Sequence, residues 1–302
     1  MTLPLTSEPI VSPPTFESGI VLDIPVWTCV LARLRKAVER ESAVVRWSAI
    51  NCGPVELPTK SYKLRPRLYA RPRQTKILVS IYISDTDREE TIRRTLDNVL
   101  LNINRIETES DLNPMVSWKD IVVVFVGSSG TMRPETSKFL RRLNLFTKPV
   151  WTPRLDGLVG HIYEYTLFRR HWSISKEPWP SLAPCQLMFF DSKTSIGTVR
   201  ANVWVVRAFA VMLKAQIWVS IKHHDIKSTA FVDIMHEFQK DLSCTSVEGF
   251  MQGICSASVA EDPRTSFRFF GLSEEGAKPI SKEFGDGAYA CRLEQLLPFG
   301  YV

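Results

Sequence analysis

None of the six cysteines (Cys29, Cys52, Cys185, Cys244, Cys255, Cys291) lies in a CxxC pair, and their scatter offers no metal-knuckle spacing and no disulfide framework. This excludes a zinc-ribbon or disulfide-stapled scaffold and predicts reduced core thiols in a cytosolic setting. A secretory leader is missing too. Met1 to Pro14 carries Pro and Thr where a leader has a basic segment followed by an apolar one. Nor is there an apolar run fit to cross a bilayer, because the most apolar region, Ala201 to Ile221, contains Arg207 and Lys214, two charges that would be costly at mid-membrane depth. No internal repeat is visible.

What is present fits a soluble α/β protein. The chain has 302 residues, 44% hydrophobic and 23% charged, enough to bury the core of one large domain or of one and a half. Its formal net charge is +6, with basic residues gathered between Lys60 and Arg73 and again between Arg133 and Arg142. Such patches suit phosphates or an anionic membrane face, but a solvated surface is stable without any ligand. No nucleic-acid partner is expected.

Residues 1–17 are rich in Pro, Ser and Thr and are expected to be disordered. In residues 18–75 a short strand, Ile20 to Pro25, precedes apolar positions at Val30, Leu31, Leu34 and Val38 with helical period. Pro58 to Arg73 contains Pro66 and Pro72 and is expected to be an extended arm. From residue 76 onward strands and helices alternate. Strands are predicted at Ile77 to Ile83, Ile121 to Val126, His161 to Leu167, Gln186 to Phe190 and Gln216 to Ile221. Helices are predicted at Glu89 to Ile103, Pro134 to Leu143, Val199 to Lys214 and Thr229 to Leu242. Most of the strands are apolar on both faces, which argues for a mixed, mostly parallel sheet with helices on both sides. Ligands of such sheets sit at the carboxyl ends of the strands, so chemistry is expected in the loops after Ile83, Val126 and Ile221. Beyond Val247 the rhythm degrades, with loop-like stretches from Ser258 to Thr265 and from Gly271 to Gly287. The apolar end, Pro298 to Val302, has the look of a C-terminal truncation.

Several segments, in order, resemble the fungal chitin synthases. Val21-Leu22-Asp23-Ile24-Pro25-Val26 is similar to the entry strand of that family, and Arg46-Trp47-Ser48-Ala49-Ile50-Asn51-Cys52 to its Arg-Tyr-Thr-Ala-Ala-Thr-Cys. Tyr62 to Tyr69, Trp118 to Val123, His161-Ile162-Tyr163-Glu164-Tyr165-Thr166, Trp204 with Ala208-Phe209, and Gly287 to Arg292 continue the likeness. The resemblance implies a glycosyltransferase type A fold over residues 76–302, nucleotide-binding and Rossmann-like. It also implies a membrane-bound relative that transfers N-acetylglucosamine from UDP-GlcNAc to chitin with the help of Mg²⁺ or Mn²⁺. Location is then expected in the cytoplasm or peripherally at the plasma membrane.

The residues at the strand ends depart from the family pattern. The polar run of the first strand, which faces uridine in the family, falls on Ser84 to Arg88, leaving Asp85 and Asp87 as donor-binding candidates or as residues of a helix N-cap region. Ser128 takes the place of an aspartate of the uracil pocket, in a Gly127-Ser128-Ser129-Gly130 loop that can be a phosphate cradle or a plain turn. Lys193 is the one surviving lysine of the family's Lys-Glu-Lys, displaced by a residue, and is either a donor-phosphate contact or a solvated loop lysine. After the fifth strand the metal-binding aspartate is replaced by Ile221 or Lys222, and the next carboxylate, Asp225, becomes the sole candidate for both catalysis and metal binding. Its neighbours His223 and His224, adjacent on an extended chain, point to opposite faces and are poor co-ligands. The expected function is therefore that of a catalytically impaired chitin synthase-like protein. The alternatives are a divergent active UDP-sugar transferase and a non-catalytic partner of full-length chitin synthases or their regulators.

Overall fold

The computed structural model describes residues 20–25, 41–60, 62–108, 116–146, 157–168, 183–221, 230–232, 234–235, 246–248 and 288–293. The helix expected near Val30 to Val38, the N-terminal 17 residues and the loops expected after Ser258 lie outside these ranges. A single nine-stranded sheet organises the described residues: β1 Ile20–Pro25, β2 Val44–Ile50, β3 Ile77–Tyr82, β4 Ile121–Gly127, β5 Gly160–Leu167, β6 Cys185–Ser192, β7 Ile217–Ile221, β8 Ser246–Glu248 and β9 Ala288–Arg292. Their spatial order is β1-β2-β5-β6-β4-β3-β7-β9-β8.

The four central strands are parallel. β3 pairs with β4 on one side and β7 on the other, and β4 pairs with β6. Antiparallel strands flank them, so that β2, β3, β4, β6, β7 and β8 run one way and β1, β5 and β9 the other. The central runs are apolar on both faces because both faces are covered. Ile77, Val79 and Ile81 of β3, with Val123 and Phe125 of β4, meet one apolar layer. Leu78 of β3, with Val122, Val124 and Val126 of β4, meets the other.

Helix α1, Glu89–Thr108, covers the first layer, assisted by α2, Pro134–Arg142. The apolar stripe of α1, Ile92, Leu96, Val99, Leu100 and Ile103, is fully or almost fully buried, as its spacing predicts. Proline at the first turn of α2 has no amide to leave unpaired there. The opposite layer is roofed by α3, which starts as Thr198–Val203, widens into seven residues of π-helix, Trp204–Ala210, and closes as Val211–Leu213. Lys214, in the left-handed region at φ 55°, ends it, and the Ala215 amide returns to the Ala210 carbonyl. Of the helix expected over Thr229 to Leu242, residues 230–232 and 234–235 are helical. Phe231 and Ile234 from it join the α1 layer.

Three strands escape the sequence reading. β2 carries Arg46 and Ser48 among its apolar residues, and β9 falls in a segment resembling a family motif with no clear strand period. β8, three residues long, is too short for any periodic signal. The arm expected between Pro58 and Arg73 holds two short 3-10 turns, Leu57–Thr59 and Arg65–Arg67, each with proline in its first positions.

One polar bond inside the core ties the parallel strands together. The indole Nε1 of Trp218 on β7 donates to Ser80 Oγ on β3 at 2.8 Å, and both residues are buried. Ser80→Ala removes that acceptor and is expected to lower stability by about 1–3 kcal/mol. Most of the loss should return in the double variant Ser80→Ala, Trp218→Phe, compared by urea midpoints.

Candidate functional site

The carboxyl ends of β3, β4, β6 and β7 lie along one edge of the sheet, which is the ligand edge of a parallel α/β core. At the end of β3 the chain turns through Ser84 to Asp87. The Asp87 carboxylate accepts from the Ser84 amide at 2.7 Å, and Thr136 Oγ1 at the start of α2 donates to the Asp87 carbonyl at 2.8 Å. Asp85 is exposed at the tip of this turn. Tyr82 spans from β3 to the loop before α3, its hydroxyl donating to the Ile196 carbonyl at 2.8 Å. Burial pushes the Tyr82 phenol up, and the negative charges of Asp85 and Asp87 add to the effect.

At the end of β4, Ser128 is buried, and its carbonyl accepts from the Thr131 amide at 3.1 Å and the Met132 amide at 3.0 Å. The next residue, Ser129, gives its amide (2.7 Å) and its hydroxyl (2.8 Å) to the two carboxylate oxygens of Asp191. Gly127 through Gly130 is therefore a turn closed by its own backbone and by a neighbouring carboxylate. Gly127 packs tightly here: a Cβ would stand 3.1 Å from the Ile83 carbonyl and 3.2 Å from its Cβ, so a side chain would need a shift of a few tenths of an ångström.

Asp191 was not anticipated. It is the penultimate residue of β6, pairs with Gly127 and is 5% exposed. Its other neighbour, Gly160, approaches so closely that an added Cβ would lie 2.7 Å from the Asp191 carbonyl. A lone Asp between an apolar strand and a Ser/Lys/Thr loop carries no sequence signal of burial, which only the pairing of β4, β5 and β6 creates.

Lys193 is exposed, and its amide donates to the Val159 carbonyl at 2.9 Å. Since β4 stands between β3 and β6, Lys193 and the Asp85–Asp87 turn start from strands roughly 9–10 Å apart. The fold thus brings Asp85, Asp87, Ser128 and Lys193 to one edge, with Asp87 in a local turn and Ser128 at the start of another.

Beside Lys193 a cleft of about 330 Å³ opens between the loop after β2, the loop after β6 and the first turn of α3. Ser192, Thr194 and Ser195 supply polar groups to its wall, and Arg200 supplies a guanidinium. Trp204, packed on Phe190 with ring centres 4.3 Å apart, forms an apolar part of the lining. Hydroxyls, one cation and an aromatic surface suit a polar ligand with an apolar face, such as a sugar or a nucleoside.

Asp225, with His223 and His224, lies outside the described residues. Among the described residues no group of three or more His, Cys, Asp and Glu side chains converges as a metal site. The strand leading to that region is well placed: Ile221 pairs with Ile81 of β3 and Ala288 of β9, and its side chain is buried in the α1 layer. Cys52 and Cys185 are free and buried, and burial pushes the Cys185 thiol up. No described helix is long and apolar enough to cross a membrane.

Comparison with known proteins gives the same direction. A chitin synthase-like glycosyltransferase domain family matches residues 77–260, and a chitin synthase N-terminal family matches residues 13–76. Chitin synthase 2 of Candida albicans is 26% identical over 240 residues, 74% of this chain and 24% of that protein. Chitin synthase 3 of Pyricularia oryzae is 27% identical over 214 residues, 68% of this chain and 24% of its own length. The chain therefore spans about a quarter of the relatives it matches.

The Asp191 contacts make a direct prediction. Asp191→Ala should lower stability by about 1–3 kcal/mol in urea unfolding, since it removes a carboxylate that accepts two hydrogen bonds. Lys193→Ala, at an exposed position, should stay within about 0.5 kcal/mol of the parent.

Proposed function

The chain belongs to the chitin synthase-like glycosyltransferase family, and from that premise we propose that it is a donor-site domain in which transfer from UDP-GlcNAc is impaired. The observation that carries this reading is the register of β7. Ile221 is fixed opposite Ile81, so the last residue of the strand is an isoleucine packed into the α1 layer, and Lys222 follows it in sequence. The family resemblance leads one to expect at this point the carboxylate that holds the metal on the pyrophosphate. A metal there would screen the charge that builds on UDP as the glycosidic bond breaks, and neither side chain can take that part.

The rest of the edge supports the same conclusion. The amide and hydroxyl of Ser129 are engaged by Asp191, and one Asp87 oxygen holds the Ser84 amide. An incoming nucleotide would compete with these bonds. The hydroxyls, Arg200 and Trp204 of the cleft beside Lys193 would suit the sugar or the nucleoside of such a donor. The place of action that follows from the family is the cytoplasm or the periphery of the plasma membrane.

The test is UDP release by the purified chain from UDP-GlcNAc with Mn²⁺ or Mg²⁺. Release is expected to stay at background, with no saturable rise in melting temperature on adding the same ligands. Saturable release that is lost in Asp225→Ala would overturn the proposal and establish a divergent active transferase.

A further inference from the structure

The N-terminal arm is fastened to the sheet through a buried carboxyl group that has no cation of its own. Glu164, on β5, is 4% exposed. Its Oε1 accepts the Arg65 amide at 2.6 Å, whereas Oε2 is buried with no hydrogen-bond partner. A void of about 10 Å³, lined by Arg65, Pro66, Glu164, Thr166, Gln186 and Met188, lies at this joint and is the size of about one water.

Three charged groups act on Glu164 from the elements around it: Arg46 on β2, Arg65 on the arm and Asp23 on β1. Both cations are committed elsewhere. Arg46, opposite Glu164 in register, makes a bidentate ion pair with Asp23 at 3.0 and 3.1 Å. The Arg65 guanidinium donates to the Val44 carbonyl at 2.8 Å and to the Glu41 carbonyl. From β6 and α3 the lining offers Gln186, Leu187, Met188 and Leu213, none of them titratable.

We propose that Glu164 is a proton-binding clasp that holds the arm to the sheet in its neutral form and loosens it when ionised. A buried carboxylate with an unpaired oxygen and no free counter-ion is costly, and taking up a proton relieves that cost. Burial is the main cause that lifts the Glu164 carboxyl from its ordinary value to about 7, while the Arg65 amide, Arg46 and Arg65 oppose the shift. The sign follows. The folded state keeps the proton that the unfolded chain releases at 4.5, so the stabilisation is full below about pH 4.5 and is lost as pH rises through about 7. The clasp spans the boundary between the segments matched by the N-terminal and glycosyltransferase domain families, so ionisation would loosen one from the other.

The full chain tests this. Its melting temperature should fall by several degrees between about pH 5 and about pH 8, and Glu164→Gln, which copies the neutral acid, should flatten that fall and be the more stable form at the upper end. Limited proteolysis should cut between Leu57 and Arg73 faster as pH rises in the parent and at a constant rate in the variant. An unchanged pH slope in Glu164→Gln would overturn the proposal. Should that variant not fold, the infrared carbonyl band of a buried carboxylic acid in the parent remains the measure. Titration of the band near pH 7 supports the clasp, and no band, or one titrating in the ordinary carboxyl range, refutes it. Neither readout depends on nucleotide binding or transfer.

Discussion

The fold depends on burying four parallel strands on both faces. Once β6, β4, β3 and β7 are covered by α1 and α2 on one side and by α3 and the arm on the other, every residue along them has one permitted face. A slip of one residue would drive Ser80 into the α1 layer and Ile81 against Trp218, so the register is held by all four strands together. From this follows the position of everything at the carboxyl edge. Gly127 must lie against Ile83, Asp191 must lie against Gly127, and Ile221 must end β7 inside the core.

The arm adds a second, polar constraint. Arg73 is shared between the Glu41 carboxylate, with which it forms a largely buried pair, and the Gln186 side-chain oxygen at 3.2 Å, while it stacks over Tyr69 at 4.0 Å. Gln186 in turn donates to the carbonyls of Lys119 and Ile121 at 2.8 and 3.0 Å. The basic residues between Lys60 and Arg73 therefore divide. Arg65 and Arg73 point inward as structural fasteners, which explains why a run that reads as a phosphate patch contributes so little to the ligand edge. A buried pair of this kind gives orientation more than net stability, because desolvation offsets much of its attraction.

What the sequence revealed, and what it concealed, divides along the same physics. Apolar runs such as Ile77 to Ile83 and Ile121 to Val126 announce burial in their own composition and are found almost to the residue, and the 3.6-residue stripe of α1 is found too, although the helix runs on five residues past Ile103 to Thr108. β2 was missed because Arg46 and Ser48 interrupt its pattern, although the partners that make them tolerable, Asp23 and the flanking β1 and β5, lie far away in sequence. Glu164 and Asp191 were invisible as buried acids for the same reason. Only long-range pairing removes them from water. At the strand ends, where turns replace periodicity, Asp85, Asp87, Ser128 and Lys193 fall at the carboxyl edge of the sheet, and their hydrogen-bond partners carry no sequence signal.

Those partners bear on how the edge can act. Tyr82 is bonded to Ile196, Ser129 to Asp191 and Ser84 to Asp87, so the described loops after β3, β4 and β6 are tied down by contacts within the chain. A site that works by meeting charge as it develops keeps its donors aimed outward and unsatisfied until the ligand arrives. Here the donors of Tyr82, Ser84 and Ser129 are engaged by a neighbouring loop, by their own turn and by β6 respectively, which ties the edge together. Bonds between adjacent loops order this edge from within the chain, and the sheet beneath is held by burial on both faces.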